Sequence, residues 1–251
     1  MPKSLPRRPK STPCARCTLR ITKCFRSLED LELQFLDKFK TGELVTDPGA
    51  AILLEGSNSP HLYTVLSGWA FRYKTLTNGR RQILHFALPG DFLGLQSSLF
   101  AEMQHSVESL TQMVLCVFPR ERLWELYSEH PALSFDLTWL VAQSERVLDE
   151  RLLSVGRRSA LERIAFMLMH LFQRASALNL TQGKRMKTPF TQQHIADALG
   201  LSLVHTNKTL KVLGDRKCIR WKDGVLELLD EAQIAEIAGY EEPGDRLIPI
   251  L

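Results

Sequence analysis

The sequence contains no apolar run as long as a membrane span, and its first residues lack the apolar core of a signal peptide. We therefore expect a cytoplasmic protein with no membrane partner. The P-loop, the GxSxG elbow, the Rossmann glycine pattern and the HExxH zinc motif are also missing. Because the seven histidines are scattered as well, we do not expect an enzyme.

Cysteine is scarce, and three of the five cysteines are crowded into the pattern Cys14-x2-Cys17-x6-Cys24. In an intracellular chain an odd number favours metal or redox chemistry over structural disulfides. A Cys-x2-Cys pair presents two thiolates to one metal ion, and the basic residues around it favour the thiolate form. Three interpretations stay open: a metal centre with a fourth ligand from elsewhere, a thiol sensor without metal, and no function. Cys218 has no partner by spacing, so we expect it to be a buried structural residue.

Residues 191–213, TQQHIADALGLSLVHTNKTLKVL, have the pattern of two helices joined by a tight turn. Thr191 is placed to cap the first helix, and Gly200 follows it where the turn needs a residue that tolerates positive φ. Ser202 is placed to cap a second helix over residues 203–213. This pattern predicts a helix-turn-helix, whose second helix lies in the DNA major groove. The alternative is an ordinary αα-hairpin with a solvated polar face.

The polar side of this motif supplies the predicted DNA contacts. Asparagine pairs with adenine edges, and lysine reaches guanine or phosphate. Ser202, at a helix N-terminus, is expected to hold a phosphate. The predicted interface consists of Thr191, Gln192, Ser202, Val204, His205, Asn207, Lys208 and Lys211.

The stretch after the second helix predicts a wing. The segments CIRWK and VLEL flank Asp223-Gly224, a pair that favours a two-residue hairpin turn. Residues 157–222 contain 13 Lys and Arg against 3 Asp and Glu, whereas the whole chain has a net charge of only +4. A phosphate backbone selects concentrated positive charge, so we expect DNA binding that weakens with salt.

The rest of the chain consists of segments that differ in composition and in predicted secondary structure. Residues 1–13 are rich in proline and basic residues and are predicted to be disordered. Residues 28–39 have the spacing of an amphipathic helix. Residues 43–120 contain short strands broken by turns, which favours a jelly roll or β-barrel, and include a hairpin around Asn78-Gly79. Residues 229–251 are expected to contain one helix, Glu231 to Ala238, and a loose tail.

Residues 131–155 have the spacing of a long helix with an apolar stripe. The stripe consists of Leu137, Val141, Ser144, Leu148, Leu152 and Val155. A second copy of the same helix would cover it, and the resulting homodimer would bind a near-palindromic operator on double-stranded DNA. The alternative is packing of the stripe against the chain's own strand-rich domain.

The order of these regions resembles the Crp/Fnr superfamily of bacterial transcription regulators. The resemblance rests on the segment PGDFLG at residues 89–94 and on the helix-turn-helix with Gly200 at its turn. It implies an α+β fold in which a cyclic-nucleotide-binding-like β-barrel (jelly roll) is followed by a long dimerisation helix and a winged helix-turn-helix. It also implies sequence-specific transcription regulation, with RNA polymerase as a partner if the protein activates.

The resemblance also divides the chain into five parts. These are the basic cysteine-containing segment 1–26, the sensor barrel 27–130, the dimerisation helix 131–156, the winged helix-turn-helix 157–235 and the tail 236–251.

The cyclic-nucleotide branch of this superfamily has a Glu soon after the PGDF-like turn and an Arg-Ser pair further on. Leu95 and His105-Ser106 stand at the corresponding places here. A cyclic nucleotide would lose its main charge partner, so we do not expect one to bind.

The fumarate–nitrate reduction branch holds a 4Fe-4S cluster with three N-terminal cysteines and one cysteine in the barrel. Cys14, Cys17 and Cys24 match the first three, and Cys116 in VLCVFP matches the fourth. This match implies an oxygen or redox sensor. The base-facing residues Val204 and Asn207-Lys208 depart from that branch, which predicts a different operator. The sequence also resembles a less characterised set with the VHxNxTL pattern, many of whose members keep only the first two cysteines. The alternative is therefore a regulator without a cluster, which senses through thiols or an unknown small ligand or needs no ligand.

Overall fold

The computed structural model describes residues 11–241, 244 and 246–251. The disorder predicted for residues 1–13 falls mostly on residues 1–10, which lie outside the described residues. Two short 3-10 turns, Cys14–Arg16 and Thr18–Ile21, lie among the N-terminal cysteines: Cys14 begins the first, Cys17 separates the two and Cys24 follows the second. They are followed by helix α1, Asp30–Phe39, which confirms the amphipathic helix predicted there.

The strand-rich domain contains eight strands and two further helices. The strands are β1 Gly42–Thr46, β2 Ala51–Leu53, β3 His61–Ser67, β4 Ala70–Thr75, β5 Arg81–Ala87, β6 Phe92–Leu93, β7 Ser106–Ser109 and β8 Met113–Pro119. The helices are α2 Leu95–Phe100 and α3 Leu123–Glu129. The strands form two four-stranded antiparallel sheets, ordered β1-β8-β3-β6 and β2-β7-β4-β5. Apolar side chains from both sheets form one buried cluster, as the alternation of the strands requires.

Helix α4, Pro131–Arg157, is the long helix that the sequence predicts. Leu133 and Leu137, near its start, are fully buried in the strand-rich domain. From Val141 onward the apolar stripe faces solvent, and the side chain of Leu152 is 74% exposed. The first turns of α4 therefore pack within the chain, whereas its later turns leave an apolar face uncovered.

The C-terminal domain contains four helices and four short strands. These are α5 Ala160–Ala177, β9 Thr181–Gln182, β10 Arg185–Lys187, α6 Gln192–Leu199, α7 Leu203–Asp215, β11 Ile219–Lys222, β12 Val225–Leu228 and α8 Glu231–Ala238. The wing turn is as predicted, since Asp223 and Gly224 have φ values of 52° and 72°. The sheet has four strands, β11-β12-β10-β9, because a second hairpin, absent from our prediction, pairs with the wing.

The two domains pack directly against each other. The Phe190 ring lies 6.0 Å from the Trp69 ring and 5.4 Å from the Phe86 ring, measured between centroids. Asp91 accepts a hydrogen bond from Arg174 at 2.7 Å, so an ion pair joins the strand-rich domain to α5. None of the helices in the described part of the chain is both long and apolar enough to cross a membrane.

The prediction of a loose C-terminal tail is wrong for its last residues. Ile250 and Leu251 are only 4% and 6% exposed, and Ile248 forms a parallel bridge with Phe25. The reason is that the N-terminal segment and the strand-rich domain present an apolar surface to these side chains. A match of this kind between distant segments leaves no local pattern in the sequence.

Candidate nucleic-acid interface and cysteine cavity

The helix-turn-helix is built as its sequence predicts. The backbone amide of His194 donates to the hydroxyl of Thr191 at 3.4 Å, and the His194 ring accepts from the Thr191 amide, which together form a capping box. Gly200 ends α6 with a φ of 64°, a conformation that side chains with a Cβ rarely adopt. Ser202 then caps α7 by accepting from the amide of His205 at 3.2 Å.

The predicted DNA-contacting residues all lie on one accessible part of this motif. Thr191, Gln192, Ser202, Val204, His205, Asn207, Lys208 and Lys211 are exposed. The opposite side of α7 is anchored by Leu210 and Leu213, which are buried. Leu203, at the start of α7, is 41% exposed, whereas Thr206 and Thr209 further along the helix are buried. Helix α7 can therefore present a polar face to a DNA groove without losing its packing.

The second hairpin adds basic residues that the sequence analysis did not assign to the interface. Its strands and those of the wing carry Lys184, Arg185, Lys187, Arg220 and Lys222. Glu227 lies between two of them and pairs with the Arg185 guanidinium at 3.3 Å and with the Arg220 guanidinium at 3.0 Å. Gly183, with a φ of 57°, was the local signal that could have revealed this hairpin.

The cysteines meet at a cavity of about 240 Å³ between the N-terminal segment and the first sheet. The cavity is lined by Thr12, Cys14, Cys17, Thr18, Lys40, Leu66, Ser67, Val114 and Cys116. Cys116 lies in the middle of β8, opposite Glu43 on one side and Thr64 on the other. Three of the four predicted ligand thiols therefore line one space, although Cys116 is far from the other two in sequence.

Hydrogen bonds fix the N-terminal segment over this cavity. The amide of Cys14 donates to the Asp37 carboxylate at 2.7 Å. The Lys40 ammonium donates to the carbonyl oxygen of Thr12 and to the Glu43 carboxylate, both at 2.7 Å. Lys40 thus brings a positive charge to the thiols. No sequence motif indicates this role, because Lys40 reaches the cavity only through the turn that joins α1 to β1.

Burial keeps two of the cavity thiols, Cys14 and Cys116, protonated. It raises the pKa of Cys14 to about 12, and the nearby Cys116 acts in the same direction. Burial also raises the pKa of Cys116 to about 11, while the charge of Lys40 opposes that rise. Both groups are therefore thiols at neutral pH, and a bound metal would have to displace their protons.

Cys24 lies apart from the cavity lining. It is half-buried beside an apolar cluster of Leu19, Phe25 and Ile250. Across residues 11–241, 244 and 246–251, no three Cys, His, Asp or Glu side chains are arranged to hold a metal ion. Thiols are the donors that an iron–sulfur cluster takes, but the three cavity thiols are not arranged to hold a metal ion and Cys24 lies apart from them. Cys218 is fully buried next to Gln233, away from this site, which agrees with a structural role.

His105 and Ser106, which correspond to the Arg-Ser pair of the cyclic-nucleotide branch, provide no charge for a phosphate. His105 and Ser106 are 5% and 8% exposed, and the hydroxyl of Ser106 accepts from the amide of Glu55 at 3.0 Å. Burial, followed by the neighbouring charge of Arg72, lowers the pKa of His105 to about 3. His105 is therefore neutral at physiological pH and cannot pair with a phosphate.

Comparison with known proteins finds a family model for each of the two domains. The family model described as "Cyclic nucleotide-binding domain" matches residues 43–130, and "Crp-like helix-turn-helix domain" matches residues 162–237. The nitrogen fixation regulation protein FixK of Bradyrhizobium diazoefficiens is 30% identical over 226 residues, which cover 90% of this chain and 93% of that protein.

Two further comparisons extend this result. The transcriptional activator protein FnrL of Cereibacter sphaeroides is 26% identical, over 92% of this chain and 94% of its own. The structure of FixK2 from Bradyrhizobium japonicum superposes with a TM-score of 0.72 at 24% identity, covering 80% of this chain and 98% of that one. At this identity the superposition supports the fold alone.

Proposed function

The chain belongs to the Crp/Fnr family of DNA-binding transcription regulators, and we propose that its DNA binding responds to the redox state of cysteines at the sensor cavity. The observation that carries this proposal is the cavity lined by Cys14, Cys17 and Cys116. Here thiols from two distant segments face the same space, beside the ammonium group of Lys40.

We propose that the reading unit is a homodimer on a near-palindromic operator. The uncovered apolar face of α4 from Val141 to Val155 supports this, because a second α4 would bury it. The exposed side of α7, with Asn207 and Lys208 near its middle, would enter the major groove. The basic strands of the wing would then follow the phosphate backbone. Contact with RNA polymerase would be needed only for activation.

Two forms of redox response are open to these cysteines. In the first, the cysteines would have to rearrange so that Cys14, Cys17, Cys24 and Cys116 converge, and they would then hold an iron–sulfur cluster that would supply an oxygen-labile centre. In the second, two cavity thiols transfer two electrons and two protons to dioxygen, which becomes hydrogen peroxide, and the two sulfur atoms form a disulfide without any metal. Lys40 beside Cys116 opposes the burial that raises the pKa of this thiol, so its charge lowers the cost of forming the thiolate that must attack.

The deciding experiment compares protein purified without oxygen with the same protein after exposure to air. Iron and sulfide content and the visible absorption spectrum are measured together with affinity for an operator selected from random DNA. We expect a change in operator affinity on exposure to air. About four irons per chain and a visible band lost in air indicate the cluster, whereas an affinity change in colourless protein that thiol reductant reverses indicates the disulfide.

Cys116→Ser should abolish the response, and Cys218→Ser should leave it intact, since both remove a buried cysteine but only Cys116 lines the cavity. An operator affinity that neither air nor reductant alters would contradict the proposal. It would leave a family member that senses an unknown ligand or needs none.

We also propose that cyclic nucleotides are not the signal. The neutral, buried His105 and the hydrogen-bonded hydroxyl of Ser106 support this. Titration calorimetry with cyclic AMP should show no binding, and micromolar affinity would contradict the proposal.

A further inference from the structure

The last residues of the chain lie against the sensor domain rather than against the domain they follow. We name residues 246–251 the strap and residues 14–25 the cysteine segment. The amide of Ile248 donates to the carbonyl oxygen of Cys24 at 2.8 Å, and the amide of Arg26 donates to the carbonyl oxygen of Ile248 at 2.9 Å. The hydroxyl of Thr64 donates to the carbonyl oxygen of Leu251. The strap is thus hydrogen-bonded to the cysteine segment and to β3.

Apolar packing joins three regions at the same place. Ile250, 4% exposed, packs in one cluster with Leu19 and Phe25 of the cysteine segment. Cys17, Cys24 and Leu66 border this cluster, and so does Leu178, the residue that ends α5 of the DNA-binding domain. The strap therefore shares one apolar cluster with the cysteines and with the end of the first helix of the DNA-binding domain.

The cysteine segment also touches the turn that holds α5. The Phe25 ring lies so close to Gly90 that a Cβ atom there would be 2.4 Å from it. The next residue, Asp91, makes the 2.7 Å ion pair with Arg174 of α5. On its other side the segment is fixed by Arg26, whose guanidinium donates to Glu32 at 2.9 Å and to Asp136 of α4 at 2.6 Å.

We propose that the strap clamps the cysteine segment onto the Gly90–Asp91 turn and the end of α5, so that the cysteines and the DNA-binding domain are coupled through it. Release of the strap exposes Cys17 and Cys24 and loosens the end of α5. Rearrangement of the cysteine segment removes the partners of Ile248 and Ile250 and so releases the strap. A role of this coupling in signalling rests on the proposed redox function. The clamp itself is independent of that function.

The test compares two substitutions within the strap. Ile250→Asp places a charge in the buried cluster, and Leu247→Asp places the same charge on a side chain that is 56% exposed. The full-length, reduced, metal-free proteins are treated with N-ethylmaleimide, and labelling rates at Cys17, Cys24 and Cys218 are read by peptide mass spectrometry. We expect Ile250→Asp to raise the rates at Cys17 and Cys24 by about tenfold or more, because local opening exposes both thiols. Leu247→Asp should leave them within about twofold of wild type.

Cys218 serves as the internal reference, because it is fully buried in the DNA-binding domain. Its labelling rate should stay unchanged in a folded variant. Hydrogen exchange supplies a second readout, and we expect amides of residues 174–180 to lose protection in Ile250→Asp. Faster thiol labelling with unchanged exchange there would overturn the coupling.

If Ile250→Asp does not fold, Thr64→Val replaces it, since this change removes only the hydroxyl that binds Leu251. We expect a smaller rise in labelling of Cys17 and Cys24, of about threefold. Equal rates for all variants, or equal acceleration by Ile250→Asp and Leu247→Asp, would overturn the clamp. Because the measurement uses neither iron nor oxygen, its outcome is separate from that of the redox proposal.

Discussion

The helix-turn-helix and the cysteine cavity differ in how the chain assembles them. Residues 191–215 form the first from one continuous stretch, in which the caps and the turn interact with neighbours a few residues away, while the buried apolar side chains pack on α5 and on the strand-rich domain. The cavity draws on the N-terminal segment, the end of α1, β3 and β8, so its lining spans residues 12 to 116. A local unit can be stable while its surroundings rearrange. A composite site changes whenever any contributing segment moves, which suits a sensor.

The largest expected effect tests how much the buried side chains of the helix-turn-helix contribute to the stability of the protein. Leu213 is fully buried, so Leu213→Ala should lower the free energy of unfolding by about 2–5 kcal/mol through lost contacts and a residual cavity. Val212, its neighbour on α7, is 39% exposed, and Val212→Ala should cost less than about 1 kcal/mol. Urea denaturation monitored by tryptophan fluorescence measures both.

The same two variants test whether the helix-turn-helix and the cysteine cavity open independently. At low urea, Leu213→Ala should leave the labelling rate of Cys116 unchanged, because no residue of α7 lines the cavity. Accelerated labelling of Cys116 under those conditions would show that the two regions open together, and the contrast would fail.

The second effect is a dependence of the free energy of unfolding on pH, and it arises in the strand-rich domain. Burial lowers the pKa values of His105 to about 3 and of His85 to about 4. The unfolded chain binds protons at these histidines below about pH 6.5, whereas the folded protein stays neutral there until much lower pH. Stability is therefore fully present above about pH 6.5 and is lost as the pH falls toward 4, by about 1.4 kcal/mol per unit for each histidine.

His105→Gln should flatten this dependence, because the substituted side chain takes up no proton on unfolding. His205→Gln is the matched control on the exposed side of α7 and should leave the slope as in wild type. Free energies of unfolding between pH 7 and pH 4.5 measure the effect, and identical slopes for wild type and His105→Gln would contradict it.

The contrast also explains what could be predicted from the sequence. Thr191, Gly200 and Ser202 were assigned correctly because capping and turn conformation depend on adjacent residues. The hairpin of β9 and β10 was missed, since its strands have only two and three residues and little alternation.

Lys40 and Ile250 could not have been assigned to the sensor site. Lys40 reaches the thiols through the pairing of β1 with β8, and Ile250 docks on residues more than 200 positions earlier in the chain. The sequence offers no periodicity for such contacts, because they depend on which distant segments fold together. Cys14, Cys17 and Cys24 were singled out by their spacing and Cys116 only by a resemblance, and the separate position of Cys24 emerged only from packing.

The smallest expected effect tests a single contact at the DNA interface. Lys208 is exposed on α7, so Lys208→Ala should preserve stability and weaken operator binding by about tenfold at low salt. If Lys208 neutralises one phosphate, the slope of log affinity against log salt concentration should fall by about 0.9. If it pairs with guanine instead, the loss should be confined to one operator position. Lys38→Ala removes the same charge from α1, where the side chain is also exposed, and should leave both affinity and slope unchanged. Equal effects of the two variants would mean that only the overall charge matters, and α7 would lose its assigned role in reading DNA.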